Sequence, residues 1–173
     1  TFDEKWLYKA KEINDYTLLH FYDTISGMFF YTNNKYSNLI ARKMEIADNV
    51  IPSSNSEMAK NLYTLGLYFD HDDYLQKSKQ MFMNVQKNVQ QNIRFYSNWG
   101  SLALQLIQSP HEIAIVGNEY EKIRTSFDNY YLPNAIFLGG KNEGTLSLLK
   151  DKFIPKQTTI YVCRNKTCEL PVT

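Results

Sequence analysis

Hydrophobic residues recur at helical spacing along most of the first hundred positions of the chain. Four such patterns follow one another, at about residues 1–24, 52–69, 72–92 and 96–108. Asp3 can cap the first helix, and Pro110 ends the last one. The link between the second and third patterns is only a few residues long, so we expect these two helices to pack antiparallel.

The spacing also predicts how the first two helices begin and which side chains they bury. The first helix has an apolar stripe of Trp6, Ala10, Ile13, Thr17 and Phe21. At the start of the second helix, Ser54 and Glu57 have the spacing of a capping box. In that motif the hydroxyl accepts from a free N–H group and the carboxylate reaches back to another.

The hydrophobic period changes at two places, and both changes predict strands. Two short runs around a polar loop predict a β-hairpin near residues 28–46. After Pro110, three buried-type runs alternate with helical or turn-like segments, at residues 112–117, 134–140 and 158–163. This order predicts a small α/β unit with a short parallel sheet. The predicted fold is therefore α+β, with a helical part at 1–109 and an α/β part at 110–173.

Composition and charge exclude several classes of partner. Among 173 residues, 19 are Lys or Arg and 18 are Asp or Glu, so the formal charge of +1 gives no electrostatic reason to expect nucleic acid or an anionic membrane surface. No apolar run approaches the roughly 20 residues that span a bilayer. We therefore expect a cytoplasmic protein with neither a nucleic-acid nor a membrane partner, and no motif predicts a cofactor.

Two cysteines, Cys163 and Cys168, are separated by four residues near the end of the chain. A zinc site would need four ligands, and no histidine lies near them in sequence, so we expect no metal. A thioredoxin-type redox pair would have C-x-x-C spacing at a helix start, whereas this pair follows a strand. A disulfide across a tight turn is geometrically feasible, but the expected state is two reduced thiols.

The polar segment between the predicted hairpin and the second helix offers the strongest candidate site. Its candidate residues are Arg42, Glu45, Asp48, Ser53, Asn55 and Ser56. Two carboxylates on a loop above a helical scaffold are typical of sugar-active sites, where one group donates a proton and the other accepts one. In that interpretation Asp48 and Glu45 are catalytic and the other four bind ligand hydroxyls. In the alternative, Asp48 and Asn55 satisfy backbone groups of a rigid turn, and spacing alone favours this second interpretation.

A single glycine, Gly117, stands between the first strand of the α/β unit and the helix that follows it. Open α/β sheets bind nucleotides and phosphates at such a turn, but they do so with several glycines at fixed spacing. We therefore predict a tight strand-to-helix turn here and no phosphate site.

Three sequence blocks resemble the C-terminal region of a known family. The blocks are RKMEIADNVIPSSNSEMAKNLYTL at 42–65, SPHEIAIVG followed by YYLPNAIFLGG at 109–140, and TTIYVCRNKTCELPVT at 158–173. The family comprises spermatogenesis-associated-protein-like proteins that contain a thioredoxin domain. Its members join an N-terminal thioredoxin-like domain to an (α/α) toroid of six helical hairpins related to N-acylglucosamine 2-epimerases.

The resemblance implies an architecture for the helical part and a set of partners. Residues 1–109 would be the last hairpins of the toroid, and the chain would pack against upstream thioredoxin-like and toroid parts of the same protein. The two cysteines would match the terminal block of the family and not its thioredoxin motif. Met28, Met44 and Ser54 depart from the family pattern, and the predicted hairpin loop lacks the usual acidic residues.

Two functions follow from this resemblance. The preferred one is a non-catalytic scaffold or interaction module, because the hairpin loop lacks the acidic residues and because a third of a toroid cannot enclose a site. The alternative is part of a carbohydrate-binding or sugar epimerase-like or isomerase-like enzyme, with a sugar-like ligand and a site shared with upstream parts. In either case we expect the isolated chain to self-associate through apolar surface that neighbouring helices would otherwise cover.

Overall fold

The computed structural model describes residues 1–35 and 41–173, and its mixture of helices and strands confirms the predicted α+β class. The helices are α1 (Lys5–Phe21), α2 (Ser54–Phe69), α3 (Asp72–Gln91), α4 (Ser97–Ile107) and α5 (Tyr120–Phe127). The strands are β1 (Tyr22–Asp23), β2 (Met28–Phe29), β3 (His111–Val116), β4 (Ala135–Gly140), β5 (Thr159–Arg164) and β6 (Thr167–Cys168). The chain divides into a helical unit, Trp6–Leu106, and a second unit made of Thr1–Lys5 and Ile107–Thr173.

The antiparallel pair of α2 and α3 forms the centre of the helical unit. The Ser78 hydroxyl of α3 donates to the Ala59 carbonyl of α2 at 2.7 Å, and further along Gly66 of α2 faces Leu75 of α3. A Cβ atom at Gly66 would lie 2.6 Å from a methyl group of Leu75, so glycine is what allows this close approach of the two helices. The short link therefore produces the predicted packing.

Helix α2 begins one residue earlier than its predicted capping box. Ser53 is the N-cap residue, with extended backbone, and its side chain accepts from the Ser56 N–H group. Ser54 already has helical backbone, and its buried hydroxyl has no hydrogen-bond partner in the structure. The prediction of Ser54 as the cap is wrong, because Ser53 has the backbone conformation that a cap requires.

The predicted hairpin near residues 28–46 is only partly within the described residues. Strand β2 pairs antiparallel with β1 before it, and Gly27 lies at the turn between them. Residues 41–46 form no strand, although the Tyr31 N–H donates to the Lys43 carbonyl at 2.8 Å. Residues 36–40, the rest of the predicted loop and the start of the second run, lie outside the described residues.

The second unit contains a four-stranded sheet in the order β4-β3-β5-β6. β3 and β4 are parallel and joined through α5, as predicted. β5 is antiparallel to β3, so the prediction of an all-parallel sheet is wrong. A parallel return requires a crossover, usually a helix, whereas the segment between β4 and β5 contains only one 3-10 turn, Ser147–Leu149.

β5 and β6 form a tight hairpin that brings the two cysteines together. Its two central residues, Asn165 and Lys166, have φ angles of 50° and 66°, the left-handed pair that matches the twist of a two-residue hairpin. Cys163 and Cys168 are therefore directly opposite each other, and they form a disulfide. The expectation of two reduced thiols is wrong, because the turn makes the two β-carbons converge.

Candidate functional site

The Asp48 carboxylate lies at the start of two helices and is buried, with 5% of the residue exposed. One carboxylate oxygen accepts from the Ser53 N–H at 3.0 Å and from the Ser56 hydroxyl at 2.7 Å. The other oxygen accepts from the Asn98 N–H in the first turn of α4 at 2.9 Å. Asp48 thereby supplies acceptors to donors at the N-termini of α2 and α4, where backbone N–H groups have no partner within the helix.

Asn55 joins the same region to strand β2. Its side-chain oxygen accepts from the Phe29 N–H at 2.7 Å. Its amide nitrogen donates to the carbonyl oxygens of Phe29 and Glu45, each at 2.9 Å. Asn55 is fully buried, and these three bonds use both of its donor hydrogens and its acceptor oxygen.

Ser53 and Ser56 complete the set of buried hydrogen bonds. The Ser53 hydroxyl donates to the Ile46 carbonyl at 2.9 Å and accepts from the Ser56 N–H at 3.1 Å. The Ser56 hydroxyl, which donates to Asp48, also accepts from the Asn98 side-chain amide at 2.9 Å. We refer to Asp48, Ser53, Asn55, Ser56 and Asn98 as the Asp48 cluster.

Asn98 belongs to this cluster, but sequence reasoning missed it. It lies 50 positions from Asp48 in the chain, and no spacing rule connects the two. The only local signal is its position in the first turn of α4, where its own N–H needs an acceptor. Beside it, the Trp99 indole donates to the Ile46 carbonyl at 2.8 Å, which holds the same loop.

Arg42 and Glu45, the other two predicted site residues, lie outside the Asp48 cluster. The Arg42 guanidinium donates to the Thr32 carbonyl and lies 3.9 Å from the centre of the Phe30 ring. The Glu45 side chain is exposed, and its carboxylate accepts from the Ser54 N–H at 3.4 Å. The structure therefore brings together four of the six predicted residues: Asp48, Ser53, Asn55 and Ser56.

The buried polar groups of the Asp48 cluster find their hydrogen-bond partners within the protein. Each of its buried carboxylate, amide and hydroxyl groups is engaged with another group of the protein. A buried polar group that already has its partners binds a ligand only by giving up one of those hydrogen bonds. The geometry is that of a rigid turn, and the catalytic and ligand-binding assignments stay predictions.

An open cavity of about 370 Å³ lies between α1 and α2 within the helical unit. From α1 it is lined by Leu7, Ala10, Ile13, Asn14 and Thr17, and from α2 by Met58, Asn61, Thr64, Leu65 and Tyr68. Ile13 is 57% exposed, although it belongs to the apolar stripe that the sequence predicts. The described structure therefore leaves part of this stripe uncovered.

Helix α1 is attached to α3 through polar contacts. The Tyr74 hydroxyl donates to the Asp15 carboxylate, and Lys11 lies 2.7 Å from the same carboxylate. Burial raises the pKa of the Tyr74 hydroxyl above its ordinary 10.0, and the bond to Asp15 adds to that shift. Partial burial opposes ionisation of Asp15, but the bonds from Lys11 and Tyr74 outweigh it and lower the pKa of that carboxyl below 3.8.

A second group of reactive side chains lies at the edge of the sheet. The Lys152 ammonium is 3.5 Å from the sulfur of Cys168 and 4.8 Å from the centre of the Tyr161 ring. Glu112, a buried residue of β3, is paired in register with Cys163.

Within residues 1–35 and 41–173, no group of three or more His, Cys, Asp or Glu side chains could hold a metal ion. No helix of these ranges is long and apolar enough to cross a bilayer.

Comparison with known proteins finds one distant similarity. Human spermatogenesis-associated protein 20 is 23% identical to this chain over 184 residues. The match covers 99% of this chain and 23% of the human protein, so the chain spans about a quarter of the length of that relative. No protein-family model and no solved structure matches the chain. This is weak support for the predicted resemblance, and the toroid stays a prediction.

Proposed function

We propose that this chain is a non-catalytic packing module of a longer protein that contains a thioredoxin-like domain. In this proposal the helical unit supplies the last hairpins of an (α/α) toroid. Its apolar stripe on α1, made of Trp6, Ala10, Ile13 and Thr17, receives a helix from an upstream part of the same polypeptide. The distant relative, of which the chain matches 23%, supports a protein with further segments.

The exposed stripe of α1 is the observation that carries this proposal. In α1 only Asn14 is buried, while Trp6, Ala10 and Ile13 are exposed. A surface helix of a globular protein normally turns its apolar stripe towards a core. The stripe borders the cavity of about 370 Å³, where α1 and α2 together form a groove with a mostly apolar lining. A groove of this kind between helices fits one further amphipathic helix.

The Asp48 cluster supports the non-catalytic part of the proposal. Its carboxylate is held by donors from two helix N-termini, and its hydroxyls and amides are all engaged within the protein. Glu45, the second carboxylate that a sugar-active pair would need, is outside this set. The arrangement fixes the loop before α2 to β2 and α4, which is a structural task.

Site-directed labelling tests where the upstream segment packs. An Ile13→Cys variant would be treated with a maleimide in two forms, the isolated chain and the chain extended with its natural upstream sequence. We expect Ile13→Cys to react readily in the isolated chain and at least tenfold more slowly in the extended one, because a packed helix excludes the reagent. The native cysteines are tied in a disulfide and would not react.

An Ile25→Cys variant is the matched control. Ile25 is 95% exposed in the turn between β1 and β2 and lies outside the cavity. Its labelling rate should be the same in both forms of the protein. Equal rates for Ile13→Cys in the two forms would contradict the proposal, since the stripe would then remain open in the longer polypeptide.

A further inference from the structure

The cysteine hairpin has two sulfur atoms in very different surroundings. Cys163 lies on β5, between β3 and β6, and only 1% of the residue is exposed. Cys168 lies on β6 at the edge of the sheet and is exposed. An attacking thiolate must approach a disulfide along the S–S axis from outside. In this hairpin Cys168 is the exposed residue of the pair, whereas Cys163 is covered.

A cation is fixed beside the exposed sulfur. The Lys152 ammonium lies 3.5 Å from the Cys168 sulfur, and its position over the Tyr161 ring helps to hold it there. A neighbouring ammonium attracts an incoming thiolate, and it also stabilises a thiolate that forms at Cys168.

The hairpin has other attachments besides the disulfide. The Glu169 N–H donates to the Val162 carbonyl at 2.9 Å, and Ile160 and Val172 exchange two backbone hydrogen bonds of 2.8 and 3.1 Å. The loop closed by the disulfide contains only the four residues between the cysteines, and such short loops restrict the unfolded chain least. The terminal segment can therefore stay on β5 when the S–S bond opens.

We propose that Cys163 and Cys168 form a redox-active site that exchanges with a dithiol, with Cys168 as the entry sulfur. A thiolate of the dithiol attacks the Cys168 sulfur, forming a mixed disulfide and breaking the bond to Cys163. Cys163 leaves with the electron pair and takes a proton from water. The second thiol of the dithiol, after losing its proton, displaces Cys168 as a thiolate beside Lys152.

The exchange is balanced in atoms and electrons. The dithiol loses two electrons and two protons and becomes a disulfide. The hairpin gains two electrons and two protons, the second proton being taken from water by the Cys168 thiolate, and becomes a pair of thiols. The reverse reaction restores the hairpin disulfide and reduces the partner. This inference concerns the second unit alone and is independent of the function proposed for the helical unit.

Reduction kinetics of the whole chain test this proposal. The oxidised protein would be treated with dithiothreitol in native buffer, quenched with acid and alkylated with N-ethylmaleimide. Intact mass then counts the free thiols. We expect a rate proportional to dithiothreitol concentration and unchanged by urea below the unfolding transition, because the Cys168 sulfur is accessible in the folded protein. A rate that rises with urea in step with unfolding would overturn the proposal.

Two further measurements locate the entry sulfur and the cation. Glutathione, a monothiol, should give an acid-trapped adduct that peptide mapping finds on Cys168, and an adduct on Cys163 would overturn the assignment. At low salt, Lys152→Met should slow the reaction about fivefold, since it removes the neighbouring positive charge. Lys150→Met, which removes a nearby exposed lysine, is the matched control and should leave the rate unchanged. Equal rates in the two variants would overturn the role of Lys152.

Discussion

At the scale of single residues, the Asp48 carboxylate is engaged on both of its oxygens by groups of the protein. It lies where two helices begin, and its oxygens accept from the Ser53 and Asn98 N–H groups and from the Ser56 hydroxyl. A buried charge is tolerable when it is surrounded by donors in this way. The Asp48 carboxylate therefore stabilises the fold by accepting hydrogen bonds on both oxygens.

Replacing Asp48 with Asn should destabilise the fold considerably. The substitution keeps the shape but turns one acceptor oxygen into a donor, which then faces another donor. We expect a loss of about 2–4 kcal/mol in the free energy of unfolding, measured by urea denaturation. Glu45→Gln is the control, since the exposed Glu45 accepts only a long hydrogen bond, and it should change stability by less than about 0.5 kcal/mol. Equal losses in the two variants would contradict the structural role of Asp48.

The contact between Asp15 and Tyr74 predicts an acid-sensitive attachment of α1. The pKa of Asp15 is lowered in the folded protein, so its contribution to stability is present above the ordinary value of 3.8 and is lost as pH falls through the folded pKa. Thermal melts between pH 7 and pH 2.5 should show a steeper loss in the wild type than in Asp15→Asn. Parallel curves would mean that this contact contributes nothing.

The raised pKa of Tyr74 makes stability depend on pH in the opposite direction. Its contribution is present below the ordinary pKa of 10.0 and is lost as pH rises through the folded value. The contact between Asp15 and Tyr74 therefore weakens at low pH, where the carboxyl is protonated, and at high pH, where the hydroxyl ionises. Near neutral pH both groups are in the state that the hydrogen bond needs.

At the scale of elements, the turn from β3 to α5 depends on Gly117. Its φ angle is +136°, and a Cβ atom there would lie 2.5 Å from the Cα atom of Thr158. The adjacent Glu119 N–H is bound by the Thr158 hydroxyl at 3.0 Å, so the segment before β5 covers the turn. The glycine is needed for backbone conformation and for the close approach of residues 157–158.

Gly117→Ala should therefore strain the second unit. The added methyl group clashes with the backbone of residues 157–158, and alanine disfavours this φ angle. We expect a loss of about 2–4 kcal/mol in the free energy of unfolding. Gly140→Ala is the matched control at the end of β4, where the new Cβ would meet its nearest neighbour at an ordinary 3.6 Å. A stable Gly117→Ala protein would show that the turn can rearrange.

Local pattern was sufficient for most helices and strands, because their signals lie within one turn or one short run. The periodicity of α2 and α3, the tight turn at Gly117 and the three main strands of the second unit were predictable for that reason. The direction of β5 was not, since it depends on whether the segment between β4 and β5 forms a crossover helix. Predicting the disulfide would have required knowing that Asn165 and Lys166 form a left-handed turn, which the sequence pattern did not indicate.

Most members of the Asp48 cluster were predictable from the sequence, but the full set of their hydrogen-bond partners was not. Four of its residues fall within nine positions, and the short spacing brings them together. Asn98 approaches from 50 positions away, and its contribution decides that the Asp48 carboxylate is fully engaged. Arg42 contacts Phe30 and Thr32 instead. These contacts depend on tertiary packing, which residue spacing does not predict.

At the scale of the whole molecule, the exposed stripe of α1 predicts self-association of the isolated chain. Sedimentation velocity at increasing concentration should show larger species, because apolar surface that lacks its natural cover pairs with itself. Ile13→Lys should suppress them by placing a charge on the stripe. Leu19→Lys is the control, since Leu19 is also exposed but lies about 120° around the helix. A wild type that stays monomeric throughout would contradict the prediction.

The divided second unit has a consequence for how the chain is made. Phe2 stacks against Tyr120, and the Glu4 carboxylate accepts from the Thr145 N–H at 3.0 Å, from a residue 141 positions later. At about 5–20 residues per second, a ribosome needs on the order of ten seconds to deliver that partner after Glu4 has emerged. The helical unit can finish folding in that interval. Residues 1–5 therefore wait for the rest of the second unit, and until it is made Phe2 lacks its partner Tyr120.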